Sequence, residues 1–267
     1  MSGPVKPGPG ASREVTAMRI FNAGRMTAVV TLTVLGLWGL GLGEARAVVT
    51  TSGCANVNVS CTLAELFAGG SIQANDKLFN NWGLERNAGS VAPNLGLIDV
   101  IGLDDGGLNP GPGLRYNGNG ALAVVGGDFI DLAFNYGVWV LNPPPEIVDN
   151  SLEILNAAVV GDGFLVIDET VFDQGLNVIG NKHVEIDPAF GTEILFDELE
   201  FDKMTHLVVE KAIFLDAGFF GAAALNVFEQ RFSQAPEPGT LALFGVGLVA
   251  LGFMARRNRR RTAQNVV

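Results

Sequence analysis

Histidine, cysteine and tyrosine occur only twice each in this sequence, and tryptophan three times. With His183 and His206 alone titrating near neutrality, a histidine-centred acid–base site has few candidates. His206 precedes a predicted strand and His183 stands by a turn, so both read as surface or strand-end residues. Two cysteines with no histidine nearby cannot complete a tetrahedral zinc set. The chain also lacks a Gly-x-Ser-x-Gly elbow, a His-Glu-x-x-His helix and a phosphate loop. These absences predict a protein that is not an enzyme, with no catalytic residue, no resident metal and no cofactor. Carboxylate pairs of the glycosidase kind stay open, because the many acids offer many pairs.

Positive charge is scarce where the chain should fold. The whole sequence carries 17 basic and 28 acidic residues, but five of the basic ones precede Val48 and five follow Met254. Between residues 48 and 236 seven basic residues stand against 25 acidic ones, a balance near −18. Such a surface repels nucleic acid and anionic lipid headgroups, so no nucleic-acid partner is expected. It suits solubility, or divalent cations in a matrix.

The two ends differ from the middle. Residues Met1 to Arg13 are rich in proline and glycine and read as disordered. Arg19 and Arg25 then form a basic segment, Met26 to Gly43 is apolar, and Ala45-Arg46-Ala47 gives a small-x-small site. That order reads as a signal peptide cut by signal peptidase before Val48, with an uncleaved membrane helix as the alternative. Met18 is a second candidate start. At the other end Pro236-Glu237-Pro238 precedes an uncharged apolar run from Thr240 to Ala255, followed by Arg256, Arg257, Arg259, Arg260 and Arg261. A helix of that length spans about 24 Å, slightly short of a bilayer core, but arginines can snorkel to the interface. The arginines should hold their end on the cytoplasmic side.

This tripartite tail resembles the PEP-CTERM sorting signal of Gram-negative bacteria. The resemblance implies recognition by exosortase, a transpeptidase-like membrane enzyme, and removal of the tail near Pro236, Glu237 and Pro238. The chain would be anchored in the inner membrane only until processing, then released to the cell surface or an extracellular (biofilm) matrix. A permanent single-pass anchor is the alternative.

Between the cuts, Cys54 and Cys61 enter an oxidising compartment and read as a structural disulfide rather than free thiols. Thr62-Leu63-Ala64-Glu65 has capping-box spacing, predicting a short helix through Leu66 and Phe67 that ends at Gly69-Gly70. Beyond it helical periodicity gives way to alternation. Ile130, Leu132, Phe134, Tyr136, Val138 and Val140 form one apolar face, opposite Asp131, Ala133, Asn135, Gly137 and Trp139. Further strands are predicted over 97–103, 121–125, 152–160, 164–171, 176–179, 184–186, 194–201, 206–215 and 223–232, separated by Gly-, Asn-, Asp- and Pro-rich turns. The proline run at 143–145 should cross between sheets. The predicted fold is a mostly β antiparallel sandwich of jelly-roll type with one short N-terminal helix, a signal helix before it and a transmembrane helix after it. The domain boundaries read as 1–47 for the disordered start and signal, 48–235 for the acidic β domain, 236–261 for the sorting tail and 262–267 for the end.

Leu63 to Leu66, Gly69-Gly70-Ser71-Ile72 and Asp76 to Trp82 resemble the opening of exported β-rich proteins that often bear the same tail and have no assigned activity. Gly111-Pro112-Gly113-Leu114 and Phe232-Ser233-Gln234 fit that pattern. The expected function is structural or adhesive. A calcium-assisted carbohydrate-binding module of the exopolysaccharide matrix is the alternative, and a polysaccharide hydrolase a third reading. Asp104-Asp105, Asp162 with Asp168, and the acidic run 197–202 are the calcium candidates, though none has the spacing of a dedicated loop. Trp139, Trp82 and Tyr116 are the candidates for stacking on extracellular polysaccharide.

Overall fold

The computed structural model describes residues 49–104, 109–141, 146–235, 245–249 and 251. In chain order the strands are Val49–Ser52 (β1), Cys61–Thr62 (β2), Ser71–Ala74 (β3), Lys77–Gly89 (β4), Asp99–Leu103 (β5), Gly113–Asn117 (β6), Ala123–Val125 (β7) and Phe129–Val140 (β8). They continue with Ile147–Val160 (β9), Phe164–Phe172 (β10), Val178–Asp187 (β11), Thr192–Ile194 (β12), Phe196–Met204 (β13), His206–Asp216 (β14) and Ala222–Gln234 (β15). One helix, Leu63–Phe67 (α1), lies near the front.

The strands form two antiparallel sheets. Eight run in the order β1-β3-β4-β8-β14-β10-β11-β12, and the other sheet runs β13-β9-β15-β6-β5-β2, with β7 pairing β15. The chain passes repeatedly from one sheet to the other, as from β8 to β9 and again from β13 to β14 to β15. Inward residues of both sheets share one core. Period-2 alternation explains how it is filled. On β8 Ile130, Leu132, Phe134, Tyr136 and Val138 are fully buried, and on β14 Leu207, Val209, Ile213 and Leu215 repeat the pattern. Aromatic rings from both sheets meet in the centre. Trp82 stacks on Tyr136 at 4.4 Å and Tyr116 on Phe228 at 4.4 Å, while Phe79 of one sheet lies 5.7 Å from Phe232 of the other.

The capping box forms. Thr62 Oγ1 accepts the Glu65 amide, and Glu65 Oε2 accepts the Thr62 amide at 2.8 Å. Glu65 Oε1 also accepts the Ala55 amide at 2.9 Å, which ties the helix to the cysteine loop. The Thr62 and Ala55 amides hold the Glu65 carboxyl below its ordinary range. Ala68 caps the helix end and Gly69 follows with φ of +101°, a conformation that favours glycine.

Several predicted strand limits change. The segments 176–179 and 184–186 belong to one strand, β11, with Leu176 left in the turn before it at φ of +61°. The run 194–201 is divided between β12 and β13. The thirteen-residue β4 has no counterpart in the predicted strands. Its pairing with β8 shifts register between Asn80 and Gly83 and again between Leu84 and Arg86, and these irregularities erase the alternation that marks a strand. Strand β6 is short and contains Gly113, Arg115 and Asn117, so its composition hides it.

Candidate functional site

Three neighbouring strands of the eight-stranded sheet, β14, β10 and β11, each place a charge on their inward face at one level. Glu169 follows Leu165 and Ile167 in phase on β10, Lys211 lies between Val209 and Ile213 on β14, and Lys182 precedes Val184 on β11. The ladders align them, with Lys182 opposite Glu169 and Glu169 opposite Lys211. All three are buried. Lys182 Nζ and Lys211 Nζ each pair with Glu169, through Oε1 and Oε2 respectively.

The facing sheet completes the group. Asn150 of β9 donates from Nδ2 to Glu169 Oε1 at 3.1 Å and accepts from Lys182 Nζ at Oδ1. Gln230 of β15 donates from Nε2 to Glu169 Oε1 at 2.6 Å and accepts from the Tyr136 hydroxyl. The Lys211 ammonium lies 5.6 Å over the Phe228 ring. Burial pushes the Glu169 carboxyl up, but the two lysines outweigh it and hold it below its usual range. Burial likewise pulls both lysine amines down, against the attraction of Glu169. The cluster thus ties β9, β10, β11, β14 and β15 together across the core. Its members were not among the residues singled out in the sequence. The signal that marks them is a charge standing in phase with apolar neighbours on a strand.

A second polar feature is a shallow cleft of about 300 Å³ on the outer face of the seven-stranded sheet. Glu153, Glu198, Arg231 and the half-exposed Phe196 line it, beside Asn109-Pro110. Glu153 and Glu229 face each other across the β9–β15 ladder, but Glu229 is held by Arg115 Nε at 2.6 Å and Arg231 Nε at 3.2 Å. Burial, with Asp149 and Glu200 nearby, pushes the Glu198 carboxyl up.

The residues singled out in the sequence are dispersed. Cys54 and Cys61 form a disulfide with Cα atoms 5.1 Å apart. Asp162 accepts the Phe219 and Phe220 amides at 2.9 and 2.8 Å, so it clamps a turn. Asp168 lies instead 2.7 Å from His183 Nδ1. The run 197–202 belongs to strand β13 rather than to an acidic loop, and alternation turns its side chains to opposite faces. Among the described residues no group of three or more His, Cys, Asp or Glu is placed to hold a metal. His183 stands within β11, not by a turn, and its other nitrogen lies 2.8 Å from Glu185. Trp82 and Tyr116 are buried and unavailable to a sugar. Trp139 keeps partial exposure, but its ring is stacked on His206 at 3.6 Å.

Ala45 and Ala47, Pro236, Glu237 and Pro238, and Arg256, Arg257, Arg259, Arg260 and Arg261 lie outside the described residues, as does Asp105. Within the apolar run, residues 245–249 are helical. Among the described residues no helix is long and apolar enough to cross a membrane.

Two antiparallel sheets closed over one core define a mostly β protein whose last strand, β15, sits inside its sheet and leads to the tail. A family comparison matches residues 234–261 to the PEP-CTERM protein-sorting motif, so the chain bears that motif. The motif implies export and exosortase-type processing. The comparison with curated proteins returns no match. Among solved structures, the enzymatically active domain of tailspike protein 4 from bacteriophage CBA120 is similar at 14% identity and a TM-score of 0.24, over 58% of this chain and 19% of that one. The Gap123 glycosylation-associated complex of Streptococcus agalactiae gives 10% identity and 0.26, over 69% and 26%. TmCBM61 in complex with β-1,4-galactotriose gives 11% and 0.24, over 57% and 89%. The chain therefore spans about a fifth to a quarter of the first two, and at these TM-scores none of the three carries an argument about function.

Proposed function

We propose that this chain is an exported structural or adhesive protein of the cell surface or extracellular matrix, without enzymatic activity, delivered by its carboxyl-terminal tail. The observation that carries this reading is the sorting motif, which starts at Gln234, the last residue of β15. Strand β15 is flanked by β9 on one side and by β6 and β7 on the other. A tether attached there would load the middle of a sheet rather than a loose edge. Signal peptidase removes residues 1–47, the tail helix holds the inner membrane until an exosortase-type enzyme cuts near Pro236, and the acidic sandwich, of jelly-roll type, is the cargo.

Intact-mass measurement of the exported form tests this. The expected species lacks both the signal and the terminal arginines, and replacing Pro236 and Glu237 by alanine leaves the tail attached and the protein in the inner membrane. External protein that still carries residues 240–261 would overturn it.

A second reading has one specific observation in its favour. The outer cleft combines exposed Phe196 with Glu153, Glu198 and Arg231, an apolar surface beside hydrogen-bonding groups of the kind that recognise sugars. Under that reading the domain binds matrix polysaccharide, and Phe196→Ala weakens the binding.

A further inference from the structure

The inward cluster is unbalanced as a set of charges. Two amines, Lys182 and Lys211, share one carboxylate, Glu169, with all three side chains fully buried. Asp149 and Asp197 stand further off at the edge, where they accept the backbone amides of Ser233 and His183 and add only the weakest of the attractions that favour a charged Lys182. An excess ammonium in such a place is costly. The cluster is neutral when one lysine is an uncharged amine, and burial drives both lysines that way.

Lys182 is the amine with an electrophile in reach. Its Nζ contacts Asn150 Oδ1, so the carboxamide carbon lies one carbonyl bond, about 1.2 Å, beyond that oxygen. Glu169 Oε1 touches both Lys182 Nζ and Asn150 Nδ2. One carboxylate oxygen therefore meets the nitrogen that must lose a proton and the nitrogen that must gain one. Gln230, the other carboxamide on Glu169, has its oxygen taken by the Tyr136 hydroxyl instead of a lysine amine.

We propose that Lys182 and Asn150 become joined by an intramolecular isopeptide bond, a covalent tie between β11 of one sheet and β9 of the other, with Glu169 as the proton carrier. The neutral amine of Lys182 attacks Asn150 Cγ. Glu169 takes a proton from Nζ and passes it to Nδ2. A Cγ–Nζ bond forms, the Cγ–Nδ2 bond breaks, and one ammonia leaves, with no change of oxidation state and Glu169 returned to carboxylate. Fixed contact between the partners replaces a bimolecular encounter, an advantage worth effective concentrations of about 10⁵ M or more in well-aligned cases. Exclusion of water from the core removes hydrolysis of the carboxamide as a competitor. The product also resolves the charge imbalance, leaving Lys211 and Glu169 as a one-to-one pair. Glu169 is the catalytic residue of this self-joining step, because it touches both reacting nitrogens. Gln230 and Lys211 are positioning residues that fix its two oxygens.

The tie goes beyond the sorting reading and does not rest on it, since protein retained inside the cell carries the same core. The test is intact-mass measurement and peptide mapping of the full chain, denatured and reduced. The expected mass falls short of the sequence of that species by one ammonia, and digestion releases a branched peptide joining the segments around Asn150 and Lys182. Lys182→Arg and Glu169→Gln are expected at full mass with linear peptides only. Wild-type protein at full mass, or a loss of ammonia confined to a succinimide at Asn150-Ser151 without a branched peptide, would overturn the proposal. The wild-type map decides the question even if a variant fails to fold. A tail found uncut would leave it untouched.

Discussion

His183 is held between two carboxylates, Asp168 at 2.7 Å and Glu185 at 2.8 Å, on the outer face of β11. Hydrogen bonds to Asp168 and then to Glu185 raise its pKa above the ordinary histidine value. A raised folded value means that the charged imidazole stabilises the fold fully below the unfolded pKa of about 6.5. That contribution is lost as pH rises through the folded value. The gap in melting temperature between wild type and His183→Gln should therefore be widest just below the unfolded pKa and should close as pH rises through the folded value. Because the side chain is 44% exposed, the gap should be small and should shrink further in high salt. A gap independent of pH would remove the ion-pair account. His206 has the opposite sign, since burial lowers its pKa and favours the neutral ring stacked on Trp139. Neither environment was legible in the sequence, because both depend on which strand lies alongside. Lys182, Glu169 and Lys211 were legible in part. Each stands where alternation calls for an apolar residue, but their meeting in one row depends on the β11-β10-β14 order.

Elements with a clean period were read correctly, and those that break period were not. Strand β8 alternates without interruption, and α1 announces itself by Thr62 and Glu65. By contrast β4 bends through two register shifts, and β6 is recognisable only once its neighbour is known. The reason for glycine in Gly111-Pro112-Gly113 is then clear. A Cβ at Gly111 would collide with the Phe232 carbonyl, and one at Gly113 with the Gln230 carbonyl, so the backbone of β6 can lie beside β15 only without side chains there. Gly113→Ala should therefore force β6 away from β15, and the melting temperature should drop by several degrees or the protein should become insoluble. Gly96→Ala is the control, because the nearest atom to its Cβ is the side-chain oxygen of Asn94 at 3.3 Å. Equal melting temperatures for the two variants would show that the β6–β15 approach does not need the missing side chain.

At the scale of the molecule, what matters is how few cations remain unpaired with a neighbour. Lys77 pairs with Asp76, Arg86 with Asp131, Arg115 and Arg231 with Glu229, Lys203 with Glu146, and Lys182 and Lys211 with Glu169. These are all seven basic residues between 48 and 236, so the acidic excess is borne by the outer faces. Net charge alone would have permitted a basic patch on an acidic protein, and the pairing removes that option within the described residues. An acidic polysaccharide should then meet repulsion from every side unless a divalent cation bridges the two. The exported protein is expected to pass unretained over an immobilised carboxylated or sulfated polysaccharide in a chelating buffer at low ionic strength. Millimolar calcium should bring retention if the matrix contact is made through bridged carboxylates. Retention in the chelating buffer that weakens with added salt would instead require an exposed cationic surface. That result would contradict the pairing of all seven cations and with it the placement of the protein's charge.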